Sequence, residues 1–303
     1  MSVKIKNLTR TFGQQKAVNN ISFEAHPGEI LGFLGPNGAG KSTTMKIATG
    51  YLSPTEGTVE VCGIDVVKHP LKSRSKIGYL PESNPLYYEM YVHEYLRFAG
   101  KLHGLKGPYL SKRIHKVISL CGLEREQNKK IGQLSKGYKQ RVGLAQAFIH
   151  DPEVLILDEP TTGLDPNQLI EIRQLIKTVG KDKTVIFSSH IMQEVQALCD
   201  RVIIIDQGTV LTDHPIDQLQ YKADEQHILL ETQFEADLSP IQEIDGVDQI
   251  EEISPLNYRI IAHSNQDLRY FIFKVCAQQN IPLVGLAQEK WSIEKTFQAL
   301  TAH

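Results

Sequence analysis

Apolar and polar residues alternate from Val3 to Leu8 and again from Val18 to Phe23, the period-two signature of strands with one buried face. A turn at Phe12–Gln15 separates them, and Glu56–Val61 repeats the pattern after a turn at Pro54. Other runs are short with an apolar centre: Glu29–Leu34, Val154–Leu157, Thr184–His190 and Arg201–Asp206. Such runs suit strands covered on both faces, as in a parallel sheet. Ile77–Glu82 reads as a further short strand that ends in an acid. Helical patterning marks Thr43–Thr49, Leu96–Leu102, Leu110–Leu123, the stretch from Ser135 to Phe148, and Asn167–Val179, with a turn expected over Gly104–Pro108. Four of the eleven tyrosines fall between Tyr87 and Tyr95. Those rings suit either an interface or a self-packed helical subdomain. The pattern therefore predicts an α/β domain over residues 1–219, with a mainly parallel core sheet, an antiparallel β layer and a helical subdomain over about 83–150.

After Leu219 the pattern changes. Strand-like alternation at His227–Thr232, Val247–Ile253, Tyr258–His263 and Pro282–Ala287 is interleaved with helical spacing at Asp267–Gln279 and Ser292–Leu300. A small α+β domain over residues 220–303 fits, and a ferredoxin-like arrangement is one form it can take. This tail holds 13 acids against 6 bases, whereas residues 1–219 hold 22 acids against 27 bases. It carries no catalytic constellation, so it reads as a dimerisation or stabilising module, with a ligand sensor as the alternative.

Bulk composition narrows the class little further. The 303 residues are 41% apolar and 22% charged, with a formal net charge of −2. Those values suit a soluble globular protein and give no sign of a nucleic-acid partner. The four cysteines (Cys62, Cys121, Cys199 and Cys276) form no CxxC pair, and the histidines show no metal-ligand spacing, so reduced thiols in the cytosol are expected. Met1–Leu8 has no apolar leader stretch, and no run approaches the roughly 20 apolar residues of a membrane span. Any role at a membrane must then come through a partner.

The chemistry gathers at strand ends. Gly35-Pro36-Asn37-Gly38-Ala39-Gly40-Lys41-Ser42-Thr43 fits G-x-x-x-x-G-K-[ST] and lies between a predicted strand and a predicted helix. Its glycines let backbone N–H groups turn toward phosphates, and the helix N-terminus adds partial positive charge. Lys41 would reach the β- and γ-phosphates and Ser42 would offer its hydroxyl to Mg²⁺, so a nucleoside triphosphate is the expected ligand. The strand Val154–Leu157 delivers Asp158 and Glu159 at its C-terminal end, where chemistry concentrates in parallel sheets. Asp158 would hold Mg²⁺ through its water shell and Glu159 would polarise an attacking water. His190 ends another buried strand and would face the same pocket. Leu134–Arg141 opens a helix on Ser135, whose N-terminus also suits an anion. Phe12 fits equally a base-stacking ring or an ordinary packing residue.

Taken together these motifs resemble the ATP-binding subunit of ABC transporters across roughly residues 1–219. Gly35–Thr43 looks like its Walker A segment, Leu134–Gln140 its signature loop, and Val154–Asp158 its Walker B strand with Glu159 following. Gly163-Leu164-Asp165 resembles the D-loop and His190 the switch histidine. The resemblance implies binding and hydrolysis of ATP with Mg²⁺. It also implies a head-to-tail homodimer, with each ATP between the P-loop of one copy and Ser135 and Gly137 of the other. A separate transmembrane permease, met at the cytoplasmic face of the membrane, completes the implied assembly. Phe12 then falls where the family places an adenine-stacking aromatic, and Asp165 joins the nucleotide-facing set. Two departures stand out. Lys136 and Tyr138 alter the usual LSGGQ, and Glu82 replaces the glutamine that touches Mg²⁺ and relays to the membrane partner. Leu80-Pro81-Glu82 is similar to the ABC-2 exporter branch, and within it Leu134–Asn167 is most similar to the gliding-motility-associated subunit. A mechanical ABC protein acting on DNA or ribosomes would usually bring a coiled-coil insertion, a second cassette or basic extensions. A non-hydrolysing scaffold would not need Asp158, Glu159 and His190.

Overall fold

Strands β1 (Val3–Phe12) and β2 (Gln15–Ala25) form an antiparallel hairpin that turns at Gly13, whose φ of +57° lies in the left-handed region. With β4 (Glu56–Val61) and β5 (Ile64–Asp65) they make a four-stranded antiparallel sheet in the order β2-β1-β4-β5. The inward faces carry Val3, Ile5, Leu8, Val18, Ile21, Val59 and Val61, all buried. The alternation in the sequence is thus the alternation of core and solvent.

The second sheet contains β3 (Ile30–Leu34), β6 (Ile77–Leu80), β7 (Val154–Asp158), β8 (Thr184–Ser189), β9 (Arg201–Asp206) and β10 (Thr209–Pro215), ordered β10-β9-β3-β8-β7-β6. Five strands run parallel and β10 pairs antiparallel with β9 at one edge. Every residue of β3, β7 and β8 is buried, which is why β3 and Val154–Leu157 of β7 read as apolar runs and β8 has an apolar centre. Helices α1 (Lys41–Ala48), α2 (Pro70–Arg74), α6 (Pro166–Gly180) and α7 (Met192–Leu198) connect these strands.

Helices α3 (Val92–Leu102), α4 (Gly107–Leu120) and α5 (Lys136–Phe148) pack on one another in the long excursion between β6 and β7. Leu96, Ile114, Val117, Val142 and Leu144 are buried there. Buried Arg113 caps the end of α5, donating to the carbonyls of Phe148 at 2.7 Å and Ile149 at 2.9 Å. The turn expected over Gly104–Pro108 is shorter than the pattern suggested. Pro108 lies in the first turn of α4, where its missing N–H costs nothing. Short α2 and α7 carry too few apolar repeats to stand out in the sequence.

The computed structural model describes residues 1–219, 225–264 and 266–289. The helix expected over Ser292–Leu300 lies outside them. The chain divides into two compact units, the first ending at Ile216 and the second beginning at Asp217. Helix α8 (Ile216–Leu219) straddles that division, and the second unit contains β11 (Glu225–Thr232), α9 (Ser239–Gln242), β12 (Val247–Ser254), β13 (Asn257–His263), α10 (Arg269–Gln278) and β14 (Leu283–Glu289). Its sheet is antiparallel in the order β12-β13-β11-β14. The β-α-β-β-α-β sequence is that of the split βαβ motif. Ile228, Leu230, Ile260, Ile272 and Cys276 form its own buried core. Among the described residues no helix is long and apolar enough to cross a membrane.

Candidate functional site

Register places the candidate residues side by side. Leu34 of β3 pairs with Ser189 of β8, Ser188 pairs with Asp158 of β7, and Leu157 pairs with Leu80 of β6. Four C-terminal strand ends therefore open onto one cleft of about 500 Å³. It is lined by Asn37, Gly38 and Gly40–Thr43 of the loop together with Glu82, Glu159, Thr162, His190 and Ala17. A crevice outside the carboxyl ends of parallel strands is where this class of sheet binds ligands.

The glycine loop wraps the start of α1. Gly40 has φ +105°, and a Cβ there would fall 2.4 Å from the Ala17 carbonyl oxygen, so no side chain fits. Gly35 and Ala39 are buried, Pro36 is half-buried, and none of the three lines the cleft. Lys41 is buried too, and its ammonium donates to the carbonyls of Gly35 at 2.7 Å and Pro36 at 3.1 Å. It lies 3.6 Å from the Glu159 carboxylate. Burial lowers its pKa from the ordinary lysine value, and the Glu159 and Asp158 carboxylates oppose that shift.

The acids are held from several sides. Asp158 accepts from Ser42 Oγ at 3.2 Å and from Ser188 Oγ at 2.6 Å. Glu159 has φ +50°, a left-handed conformation uncommon for a long side chain, and its N–H donates to Ser188 Oγ at 3.0 Å. Its Oε2 receives Thr162 Oγ1 at 3.1 Å and lies 2.9 Å from His190 Nδ1. The site so brings a glycine-rich loop, a lysine, two carboxylates, a hydroxyl and an imidazole close together. Such a set can position a water and offset developing charge.

Ser135, Gly137, Asp165 and Phe12 are not among the residues lining this cleft. Ser135 caps α5, its Oγ accepting from Tyr138 N at 3.4 Å. Gly137 is buried against the Gln168 side chain. The Lys136 ammonium lies against Gly163, where it would clash with any Cβ. Asp165 caps α6 by accepting from Gln168 N at 2.9 Å. Phe12 is 44% exposed, with the Arg10 guanidinium 4.6 Å from its ring centre. Gln140 links α5 to the acids by donating to Pro160 O at 2.8 Å, and Asn84 donates to Lys139 O at 2.9 Å.

Motif reading passed over Ser188 and Thr162, both in contact with Glu159. A serine late in a buried strand and a threonine after the acids were the available signals. Their partners become visible only when β7 and β8 are paired.

Comparison with known proteins agrees with this geometry. The ABC transporter family profile matches residues 18–162. The bacitracin transport ATP-binding protein BcrA of Bacillus licheniformis is 39% identical over 220 residues, covering 72% of this chain and 71% of its own. The ABC transporter ATP-binding protein NatA of Bacillus subtilis is 41% identical over 198 residues, covering 65% of this chain and 80% of its own. Among solved structures, the dimeric bacterial ABC transporter cassette MJ0796 superposes with a TM-score of 0.65 at 28% identity, covering 71% of this chain and 98% of that one. The narrower likeness to a gliding-motility subunit finds no support in these relatives. A nucleotide cleft built on this fold, shared across most of the length of such relatives, places the chain among the ATP-binding subunits of ABC transporters, which hydrolyse ATP to drive transport.

Proposed function

We propose that the chain works as a head-to-tail homodimer that closes on two ATP molecules and drives a separate permease at the cytoplasmic face of a membrane, in the direction of export. The observation that carries this reading is the division of the site. The cleft holds Lys41, Glu159 and His190, whereas Ser135 and Gly137 of the same chain lie outside its lining. Each half-site leaves phosphate charge uncompensated, and a second copy presenting its α5 N-terminus and Ser135 supplies the missing donors. Solved relatives include a dimeric cassette and the same cassette after hydrolysis with ADP and phosphate. Export is supported by relatives named for bacitracin transport and Nod factor export. Residues 1–219 form the ATPase domain in this reading and residues 220–303 an accessory module.

In each half-site, Lys41 neutralises phosphate charge, Glu159 orients the attacking water and His190 contacts the γ-phosphate. Phe12 stacks on the base and Asp165 faces the partner's nucleotide. Ser42, Asp158 and Glu82 are the groups that would hold Mg²⁺, Glu82 through a water. The donor set fits, since a hydroxyl and carboxylates are hard oxygen ligands and Ser42 already meets Asp158. No cluster of three or more His, Cys, Asp or Glu among the described residues could hold a metal alone. Mg²⁺ characteristically takes one or two carboxylates and completes its shell with water and phosphate oxygens. When bound, the ion would offset charge on the β- and γ-phosphates.

The test is Glu159→Gln, purified and passed over a sizing column with ATP and Mg²⁺. A stable dimer that forms with ATP and disperses without it is expected. A monomer at saturating ATP overturns the shared-site reading.

A further inference from the structure

We infer that Glu194 is a positioning residue for the hydrolytic step, locking the exit of β7 to the exit of β8 so that Glu159 and His190 stay in contact. Glu194 lies in the first turn of α7, away from the cleft lining, and is only 1% exposed. Its Oε2 accepts from Thr161 Oγ1 at 2.6 Å and from Ser189 Oγ at 2.9 Å. Thr161 follows Glu159 by two residues, and Ser189 immediately precedes His190. Ser189 Oγ also accepts from Ile191 N at 3.0 Å, on the far side of the histidine.

These contacts close a ring. Starting at Glu159, the chain runs through Pro160 to Thr161, crosses to Glu194, crosses again to Ser189, continues to His190, and returns through His190 Nδ1 to Glu159 Oε2 at 2.9 Å. Glu194 is the one member contributed by neither strand exit. A carboxylate so deeply buried is costly unless paired, and no basic side chain forms an ion pair with it among the described residues. Two hydroxyl donors hold it instead. Glu159 meanwhile occupies a left-handed backbone conformation that needs outside support. Glu194, Thr161 and Ser189 supply that support without lining the cleft, so the loss of Glu194 affects the reaction more than binding.

This inference rests on the roles proposed above for Glu159 and His190. The test uses the full chain and measures nucleotide affinity, the rate of γ-phosphate release and the thermal midpoint. Replacing Glu194→Leu strands both hydroxyls, and a misplaced water-orienting group lowers kcat by about 10–100-fold. Affinity for ATP stays within about twofold of the parent, because Lys41 and the glycine loop have no contact with Glu194. Glu194→Gln recovers most of the rate, since its amide oxygen can accept both hydroxyls. In a His190→Ala background, where the ring is already open, Glu194→Leu adds less than about a threefold loss. Parent-like kcat in Glu194→Leu, equal losses in both backgrounds, or no recovery with Gln overturns the assignment. If Glu194→Leu does not fold, Thr161→Val and Ser189→Ala each remove one arm and carry the same comparison. Glu159→Gln separates the two claims: parent-rate hydrolysis there faults the site roles, whereas its inactivity beside a fully active Glu194→Leu faults only the ring.

Discussion

Ser188→Ala removes a single oxygen that holds both carboxylate-bearing residues. The hydroxyl is fully buried, donates to Asp158 at 2.6 Å and accepts from Glu159 N at 3.0 Å. A hydrogen bond to a charged group contributes about 1.5–3 kcal/mol, and a buried N–H left without an acceptor costs about 1–3 kcal/mol. Because partial relaxation makes the two losses overlap, a net destabilisation of about 2–4 kcal/mol follows. In a domain of this size that lowers the melting midpoint by roughly 4–16 °C. The same bond pins Glu159 at φ +50°, a left-handed conformation that costs roughly 1–2 kcal/mol. If relaxation releases that strain, restoring the active geometry raises the barrier by the same amount, and kcat falls about 5–30-fold. Scanning fluorimetry measures the first effect and steady-state phosphate release the second. Both should shift while ATP affinity changes little. A variant that melts and turns over like the parent would refute the claim that Ser188 holds the acids in place.

Lys41→Ala should weaken ATP binding by at least about tenfold, the loss of one charge-assisted contact to phosphate; a fluorescence titration with unchanged affinity counts against its role. Gly40→Ala should destabilise the fold by roughly 2–5 kcal/mol, combining backbone strain with overpacking, because its Cβ would meet the Ala17 carbonyl at 2.4 Å; an unshifted melting curve argues against the loop geometry. His150 stacks on His103 with centroids 3.7 Å apart, and burial, then the His103 ring, pushes its pKa down to about 4. The unfolded imidazole titrates near about 6.5. Native His150 resists the proton that the unfolded chain accepts, so its contribution is complete above that value and is lost as pH falls toward 4. His150→Gln should therefore flatten the decline in melting midpoint between about pH 7 and pH 5; an identical slope contradicts the assignment.

The order of motifs along the chain was enough to identify the fold class and the ligand. Gly35–Thr43, set between a strand and a helix, suits phosphate, and the short apolar runs Val154–Leu157 and Val185–Phe187 suit buried strands. Local chemistry carried those readings because backbone freedom, strand burial and helix capping depend on near neighbours. The tertiary structure alone decided which strand ends meet. Pairing β3 with β8 and β8 with β7 carries Ser188 to Asp158 and Glu159 across 30 and 29 residues of chain, and it turns Glu194 from one acid among 35 into a buried hub. Those contacts were not legible in the sequence. A hydroxyl or carboxylate has no local signature when its partners lie on another strand, whereas a glycine loop bears its constraint in its own backbone.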